Sequence, residues 1–234
     1  MSMGLYIKIA LITLALLVAV YLLSLFDLFT QLGRYESYWR RHNEKVQGKQ
    51  IDYVALGDST AQGIGASHPS SGYVPLIARE LESRYDKKIR YVNLSKSGAT
   101  IEQALSTQLP AMEKLKTNKN TLVTIQIGAN DMAKFESDKF QREMDELMGK
   151  LPKQTLISDI PYFGDTLYKS REVYVIEANK IMRKLAKKHG FKLVPLHDTM
   201  AKKGDLRTLA SDFFHPSNTA YRENWARVFI ERCI

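Results

Sequence analysis

The chain has 234 residues, of which 44% are hydrophobic and 25% charged, and this composition excludes a disordered or fibrous protein. Its one cysteine, Cys233, excludes an internal disulfide framework and a cysteine-based zinc cluster. The net charge of +9 is spread along the sequence, which favours a basic surface near anionic lipid or wall polymer over a nucleic-acid-binding protein.

The first predicted element is an apolar helix close to the N-terminus. Residues 9–26 contain no charged side chain, and at about 1.5 Å per residue they approach the thickness of a hydrocarbon core. A cleavable signal peptide would be shorter and would end in a small-x-small site, which the following residues DLFT do not resemble. A helix packed on a soluble protein would turn a polar face to water, and this uninterrupted apolar run has none. We therefore predict an uncleaved, single-pass membrane anchor over residues 1–28.

Residues 29–50 are polar and mixed in charge, and we predict a juxtamembrane linker there. Tyr35, Tyr38 and Trp39 lie beside two arginines, which favours a stretch at the lipid headgroup level. The positive charges after the anchor favour a cytoplasmic position for the rest of the chain. However, an apolar segment behind a short basic tail usually inserts as a signal does, and long domains translocate largely regardless of charge. The balance favours the extracytoplasmic side.

From residue 51 to residue 234, short β-rich runs alternate with longer amphipathic ones. The β-rich runs are largely apolar, as expected for strands that are covered on both faces. They are Asp52–Leu56, Ile89–Leu94, Leu122–Ile127, Thr155–Ile160 and Phe191–Leu196. This alternation predicts one α/β domain over residues 51–234, built on a five-stranded parallel sheet with helices on both sides.

The fourth helical stretch places Tyr174, Ala178, Ile181 and Leu185 on one predicted apolar face. Because ligands of such folds bind beyond the carboxyl ends of the strands, candidate functional residues are expected directly after each strand.

Polar or glycine residues follow the first three predicted strands. Ser59, in the sequence GDST, lies at a strand-to-helix turn where its hydroxyl can be exposed, although a serine there can also be a helix N-cap. Gly98, in NLSKSG, would allow a backbone N–H to approach a ligand closely, or is a simple turn glycine. Asn130, in GAND, offers an amide donor or is a turn residue.

Asp212 precedes His215 by three residues in the sequence DFFH, just before the last helical stretch. A carboxylate at that spacing can accept the Nδ1–H of the histidine and leave Nε2 as a base. Alone, the pair could equally be a structural histidine and a turn cap. A nucleophilic serine needs a base, an orienting acid and converging oxyanion donors, and all of these occur here. Together they favour a serine hydrolase.

The four sequence blocks resemble those of the SGNH hydrolases, the GDSL esterase/lipase family, over about residues 51–234. The resemblance implies a flavodoxin-like three-layer α/β/α fold. It also implies that Ser59 is the nucleophile, His215 the general base and then acid, and Asp212 its orienting partner. The oxyanion hole would comprise the amides of Ser59 and Gly98 and the side chain of Asn130.

Thr60 departs from the leucine that is more frequent in the family, which bears only on substrate preference. His197 and Asp198 could imitate the histidine–aspartate pair, but adjacent side chains on an extended segment point in opposite directions. Asp58 and Asp131 are expected to stabilise turns. No pair of histidines has metal-ligand spacing and no phosphate-binding loop occurs, so we predict no metal and no cofactor.

The expected function is that of a membrane-anchored serine esterase that hydrolyses carboxylic or thio esters such as lysophospholipids, because tethering raises the local concentration of lipid substrates. One alternative is an O-acetyl esterase acting on cell-envelope saccharides, and another is an acyltransferase that uses the same residues with an alcohol acceptor. A non-catalytic, membrane-tethered binding module is a third alternative, although neither the nucleophile nor the base is missing.

Overall fold

The computed structural model of the protein describes residues 3–202 and 208–233. Its five parallel strands form one sheet in the order β2-β1-β3-β4-β5. They are β1 (Tyr53–Gly57), β2 (Tyr91–Asn93), β3 (Leu122–Gln126), β4 (Leu156–Ser158) and β5 (Leu193–Val194). Each strand overlaps a predicted one, and this strand order is the flavodoxin-like one. The predicted α/β fold is confirmed.

Helices connect the strands and flank the sheet. Those of the described residues are α1 (Met3–Glu44), α2 (Ser59–Gln62), α3 (Tyr73–Tyr85), α4 (Ile101–Gln103), α5 (Leu109–Glu113), α6 (Ser137–Lys150), α7 (Glu172–His189), α8 (Leu196–Ala201), α9 (Asn218–Ala220) and α10 (Arg227–Ile230). Two π-helical segments, Ala104–Gln108 and Tyr221–Ala226, join α4 to α5 and α9 to α10. Short 3₁₀ turns lie at Pro69–Ser71, Asn130–Lys134 and Lys169–Arg171.

The hydrophobic core lies on both faces of the sheet. Alternate side chains of β1 enter the two halves of the core: Val54 and Leu56 on one face, Tyr53 and Ala55 on the other. Helices α5, α6 and α7 contribute to the first half, and α3 and the C-terminal helices to the second. With both faces covered, the carboxyl ends of the strands are left for a site.

The predicted apolar face of the fourth helical stretch, now α7, is wrong in part. Ala178 and Leu185 are buried, but Tyr174 is 42% exposed, and Val175 and Met182 complete the buried face instead. The buried face is rotated about the helix axis by about one residue relative to the predicted face, because Val175 follows Tyr174 and Met182 follows the predicted Ile181. Packing of α7 against α6 decides that rotation.

Helix α1 is longer than the predicted anchor and includes most of the predicted linker. Gln31, Tyr35 and Trp39 recur every fourth residue and are buried against the α/β domain. The hydroxyl of Tyr35 donates to the Ala66 carbonyl at 2.6 Å, and Nε1 of Trp39 donates to the Gln62 carbonyl at 2.9 Å. These two side chains therefore face the α/β domain and not lipid headgroups, while the headgroup-level position of the stretch stays a prediction.

The N-terminal part of α1 is long and apolar enough to cross a membrane, and none of its most apolar window is buried. A signal sequence can meet the same criterion. The division into an anchor at 1–28, a linker at 29–50 and a domain at 51–234 stays a prediction, with the addition that residues 29–44 are helical.

Candidate active site

Ser59 is the first residue of α2 and lies two residues beyond the last residue of β1. The cap of this helix is Asp58, whose Oδ1 accepts hydrogen bonds from the amide of Thr60 at 3.0 Å and from its hydroxyl at 2.8 Å. The Thr60 hydroxyl also contacts the side chain of Gln126 at the end of β3. Asp58 thus caps the helix, and the hydroxyl of Ser59 is directed elsewhere.

That hydroxyl is directed at His215. Ser59 Oγ lies 2.9 Å from His215 Nε2, and His215 Nδ1 lies 2.5 Å from Asp212 Oδ2. In the matching tautomer, Nδ1–H donates to the carboxylate and Nε2 accepts from the serine. The structure thus brings together three residues that are up to 156 positions apart in the chain.

The other carboxylate oxygen of Asp212 shapes the turn that carries His215. Oδ1 accepts the backbone N–H groups of Phe214 at 3.1 Å and of His215 at 3.0 Å. Burial raises the pKa of Asp212, but the hydrogen bond and charge of His215 and these two amides outweigh burial and hold it below its usual value. Asp212 is therefore ionised and oriented at neutral pH.

Gly98 and Asn130 lie in neighbouring turns beyond β2 and β3. Gly98 has a left-handed backbone with φ of 77°, and space is open where a side chain would stand. The amide nitrogen of Asn130 donates to the carbonyl of Ala99 at 3.0 Å, which joins the two turns. Asn130 lines the same cleft as Ser59, together with Phe163 and Phe214. Both predicted oxyanion residues thus lie at the carboxyl edge of the sheet.

Two buried glutamines support the backbone around the site and were missed in the sequence analysis. Gln62 of α2 receives the Ser97 hydroxyl at 2.5 Å and donates to the Ser95 carbonyl at 3.1 Å. Gln108 makes two 2.8 Å hydrogen bonds with the amide and carbonyl of Gly57, at the end of β1. No local pattern marks these residues, because their partners are 33 to 51 positions away.

His197 does not belong to this arrangement. Its Nε2 lies 2.7 Å from Glu172, and its Nδ1 lies 3.3 Å from Asp198. The expectation that adjacent side chains diverge is wrong here, because the segment is the helix α8 and not an extended strand. The hydrogen bond to Glu172 raises the pKa of His197, and this effect is larger than the lowering caused by burial. With both ring nitrogens engaged, His197 is a structural link between α7 and α8.

Asp58 and Asp131 stabilise turns, as expected. The carboxylate of Asp131 accepts the N–H of Ile101 at 3.3 Å, which ties the Asn130–Lys134 turn to the start of α4. Burial raises the pKa of Asp131 to about 7 against the opposing effect of that amide. Burial likewise raises the pKa of Asp58, despite its bonds from Thr60.

Comparison with solved structures identifies the same fold in several hydrolases. The lipase/acylhydrolase from Enterococcus faecalis is 18% identical with a TM-score of 0.62, and the match covers 78% of this chain and 95% of that one. TesA is 24% identical with a TM-score of 0.60, covering 78% and 94%. The acetylxylan esterase Axe2 from Geobacillus stearothermophilus is 19% identical with a TM-score of 0.58, covering 79% and 93%.

No curated protein sequence matches the chain at a significant level. The sequence profile of the GDSL-like lipase/acylhydrolase family, in contrast, matches residues 55–223, which is more than half of the chain. The matched segment contains all the residues of the site described above, from Ser59 to His215. The chain therefore belongs to the GDSL-like lipase/acylhydrolase family of ester hydrolases.

Proposed function

We propose that the protein is a membrane-anchored serine esterase in which Ser59 is the nucleophile, His215 the general base and Asp212 its orienting partner. The observation that carries this proposal is the continuous hydrogen-bonded chain from Ser59 through His215 to Asp212. A nucleophile bonded to a base, and a base bonded to a carboxylate, is the arrangement that activates serine in unrelated hydrolases.

In the proposed reaction, Ser59 Oγ attacks the ester carbonyl carbon while its proton passes to His215 Nε2. The tetrahedral intermediate collapses, the alcohol leaves with the proton from His215, and the acyl group stays on Ser59. Water then attacks the acyl-enzyme with His215 again accepting a proton. The acid product leaves and the serine hydroxyl is restored. Asp212 stabilises the imidazolium formed in each half of the cycle.

The proposed oxyanion hole comprises the backbone amides of Ser59 and Gly98 and the side-chain amide of Asn130. The N–H of Ser59 is at the first turn of α2, where backbone donors have no partner within the helix. The bond from Asn130 to the Ala99 carbonyl uses one of its two amide hydrogens and fixes its orientation. Such preorganised donors stabilise charge that develops only in the transition state.

Membrane anchoring is proposed from α1. Its helix continues past the end of the apolar segment without the extended small-x-small stretch that a signal peptidase requires, and it then packs on the α/β domain. We propose that the α/β domain lies on the extracytoplasmic side, since an N-terminal apolar helix inserts as a signal does.

The proposed substrates are carboxylic or thio esters such as lysophospholipids. The residues that line the cleft beside Ser59 include the apolar side chains Phe163, Met200 and Phe214, which favour an uncharged, apolar acyl group there. A second candidate is an O-acetyl ester of a cell-envelope saccharide, suggested by acetylxylan esterases among the proteins of similar fold.

The test is hydrolysis of p-nitrophenyl esters of increasing chain length by the full chain in detergent, with Ser59→Ala as the control. Preference for long chains supports the lipid ester, and preference for acetate supports the saccharide ester. Transfer of the acyl group to an added alcohol would identify an acyltransferase. Equal hydrolysis by wild type and Ser59→Ala, or none by either, would contradict the proposed esterase.

A further inference from the structure

Three exposed hydrophobic side chains form a rim beside the candidate active site. Leu167 is 70% exposed, Phe213 is 40% exposed and Tyr168 is 38% exposed. The amide of Leu167 donates to the carbonyl of Phe213 at 3.2 Å, so the two segments that form the rim are adjacent. We call Leu167, Tyr168 and Phe213 the entrance rim. Clustered apolar side chains on a surface mark a site of contact with a partner or a membrane.

The entrance rim is close to the catalytic centre. The ring of Tyr168 packs edge-on against Phe214 with centroids 4.8 Å apart. Phe214 in turn packs against the imidazole of His215 at 5.1 Å and lines the cleft next to Ser59. One aromatic ring thus separates the rim from the base, and a ligand that reaches Ser59 from this side passes the rim.

The rim also touches the apolar part of α1, because the ring centroids of Phe213 and Tyr21 are 6.5 Å apart. A bilayer-spanning helix needs roughly 20 residues. A span that begins anywhere between Met3 and Ile9 therefore ends between Leu22 and Leu28. In every one of these registers Tyr21 lies within the span, near its C-terminal end, so Phe213 lies between the membrane boundary and about 10 Å inside it.

The backbone conformation of Phe213 also supports a contact between its ring and lipid. Its φ is 52°, in the left-handed region that bulky residues rarely adopt and that glycine or asparagine occupies at less cost. The strain is retained at a position where the aromatic ring is not needed for the core, since that ring is half exposed. A lipid contact gives this ring an apolar environment that water does not.

We propose that the entrance rim rests in the membrane leaflet that α1 enters, so that the active site receives its ester directly from that leaflet. The inference rests on the proposed esterase function for the reaction. It extends that function by naming the source of the substrate, which is an amphiphilic ester with a long acyl chain embedded in the bilayer. The occupant of the apolar rim is the bilayer itself, because the helix that touches the rim crosses it.

Fluorescence quenching tests the position of the rim independently of activity. The full chain carrying Leu167→Trp is reconstituted into phosphatidylcholine vesicles with bromine on the acyl chains. The matched control is Tyr85→Trp, which is 62% exposed and lies beside Asp52 and Ile89, just before the first two strands and far from the rim. The native Trp39 and Trp225 are buried and supply the background signal.

We expect the brominated lipid to quench the indole added at position 167 and not the one added at position 85. Because the bromine is in both leaflets, the result is independent of the orientation of the protein in the vesicle. Equal quenching of the two variants, or no quenching of either beyond the wild-type background, would overturn the proposed contact with the bilayer.

Kinetics test the source of the substrate. Phe213→Asn keeps a residue that tolerates the left-handed backbone, and Leu167→Ser changes an exposed position, so both variants should fold. For palmitoyl-lysophosphatidylcholine in vesicles we expect turnover to fall about tenfold in each variant. This factor corresponds to the loss of part of the free energy of transferring one apolar side chain into lipid. Hydrolysis of water-soluble p-nitrophenyl acetate should be unchanged.

The outcomes separate this inference from the proposed function. Equal losses on both esters would show that the rim supports the site itself and would overturn the leaflet as source, as would unchanged turnover of the lysolipid in both variants. A wild-type protein that hydrolyses neither ester contradicts the esterase, while the quenching result still decides whether the rim contacts lipid.

Discussion

Ser59 and His215 share one hydrogen bond, so their contributions to catalysis should not be independent. We expect Ser59→Ala and His215→Ala each to lower kcat by about 10⁴–10⁶, as the loss of a triad member does, with the double variant hardly worse than either. The measurement is kcat of the three variants with one p-nitrophenyl ester. Losses that multiply in the double variant would mean that the two residues do not act as a unit.

Asn130 is expected to serve the transition state alone. Removal of one preorganised oxyanion donor in Asn130→Ala should lower kcat by about 10²–10³ with little change in KM. Steady-state kinetics with a soluble ester measure both constants. Because Asn130 also bonds to the Ala99 carbonyl, a melting curve serves as the control for misfolding. An unchanged kcat would exclude Asn130 from the oxyanion hole.

Asp131 should make stability depend on pH. Burial raises its pKa from 3.8 to about 7, so the folded protein holds a proton there that the unfolded chain releases. The stability that this bound proton contributes is fully present below the unfolded pKa of 3.8 and is lost as the pH rises through the folded pKa of about 7. We therefore expect Asp131→Asn, whose amide keeps an acceptor for Ile101, to gain stability over wild type at pH 8 more than at pH 5. Denaturant titrations in detergent at the two pH values measure the difference, and an equal difference at both would contradict the assignment.

At the scale of elements, the C-terminal half of α1 holds the turn that follows α2, the helix of the proposed nucleophile. Gln31 Oε1 accepts the amide of Gly65 at 2.9 Å, next to the bonds that Tyr35 and Trp39 make. A side chain at Gly65 would meet the Pro216 carbonyl at 2.5 Å and His215 at 2.9 Å, so this turn packs directly on the proposed base. Residues 31–39, which fall in the predicted linker, therefore pack on the α/β domain and support this turn.

Two shortened chains test this role of α1. A chain that begins at Asp27 keeps all three contacts, whereas one that begins at Gln50 loses them and leaves the Trp39 site empty. We expect the shorter chain to be less stable by at least about 3–5 kcal/mol, the cost of removing one buried tryptophan, and to have a lower kcat. Thermal melts and ester kinetics compare the two chains. Trp39→Ala in the longer chain should reproduce much of the loss, and Arg40→Ala, on the exposed face, should not. Equal stability of the two chains would contradict the role.

At the scale of the whole molecule, the uncovered apolar helix should keep the protein in a membrane. We expect the full chain to stay in the membrane pellet after a sodium carbonate wash and the chain that begins at Asp27 to be released, because only the former exposes the apolar window. Immunoblots of pellet and supernatant measure this partition. Release of the intact full chain would contradict an anchor, and protease access to a C-terminal tag would report the side on which the domain lies.

The sheet and the four sequence blocks that carry the candidate site residues could be predicted from the sequence, because the patterns that mark them are local. Five apolar β-branched runs and the turns that end them can be located without distant contacts, and parallel strands that are covered on both faces bring their carboxyl ends together. Ser59, Gly98, Asn130 and His215 could thus be assigned to one edge of the sheet. The rotation of α7 could not, because Tyr174 and Val175 are both apolar and only the packing on α6 selects between them.

The sequence by itself determined the α/β class, the order along the chain of the candidate catalytic and oxyanion residues, and the apolar segment that precedes them. Only the tertiary structure decided that the C-terminal half of α1 packs on the α/β domain, that Gln62 and Gln108 support the site, and that His197 pairs with Glu172. The physical reason is the range of the interactions. Strand patterns and turn motifs act within a few residues, whereas a buried glutamine or an aromatic side chain on a helix acquires its role from a partner tens of residues away. The contact between Tyr21 and Phe213 spans most of the chain, and no local pattern in either segment predicts it.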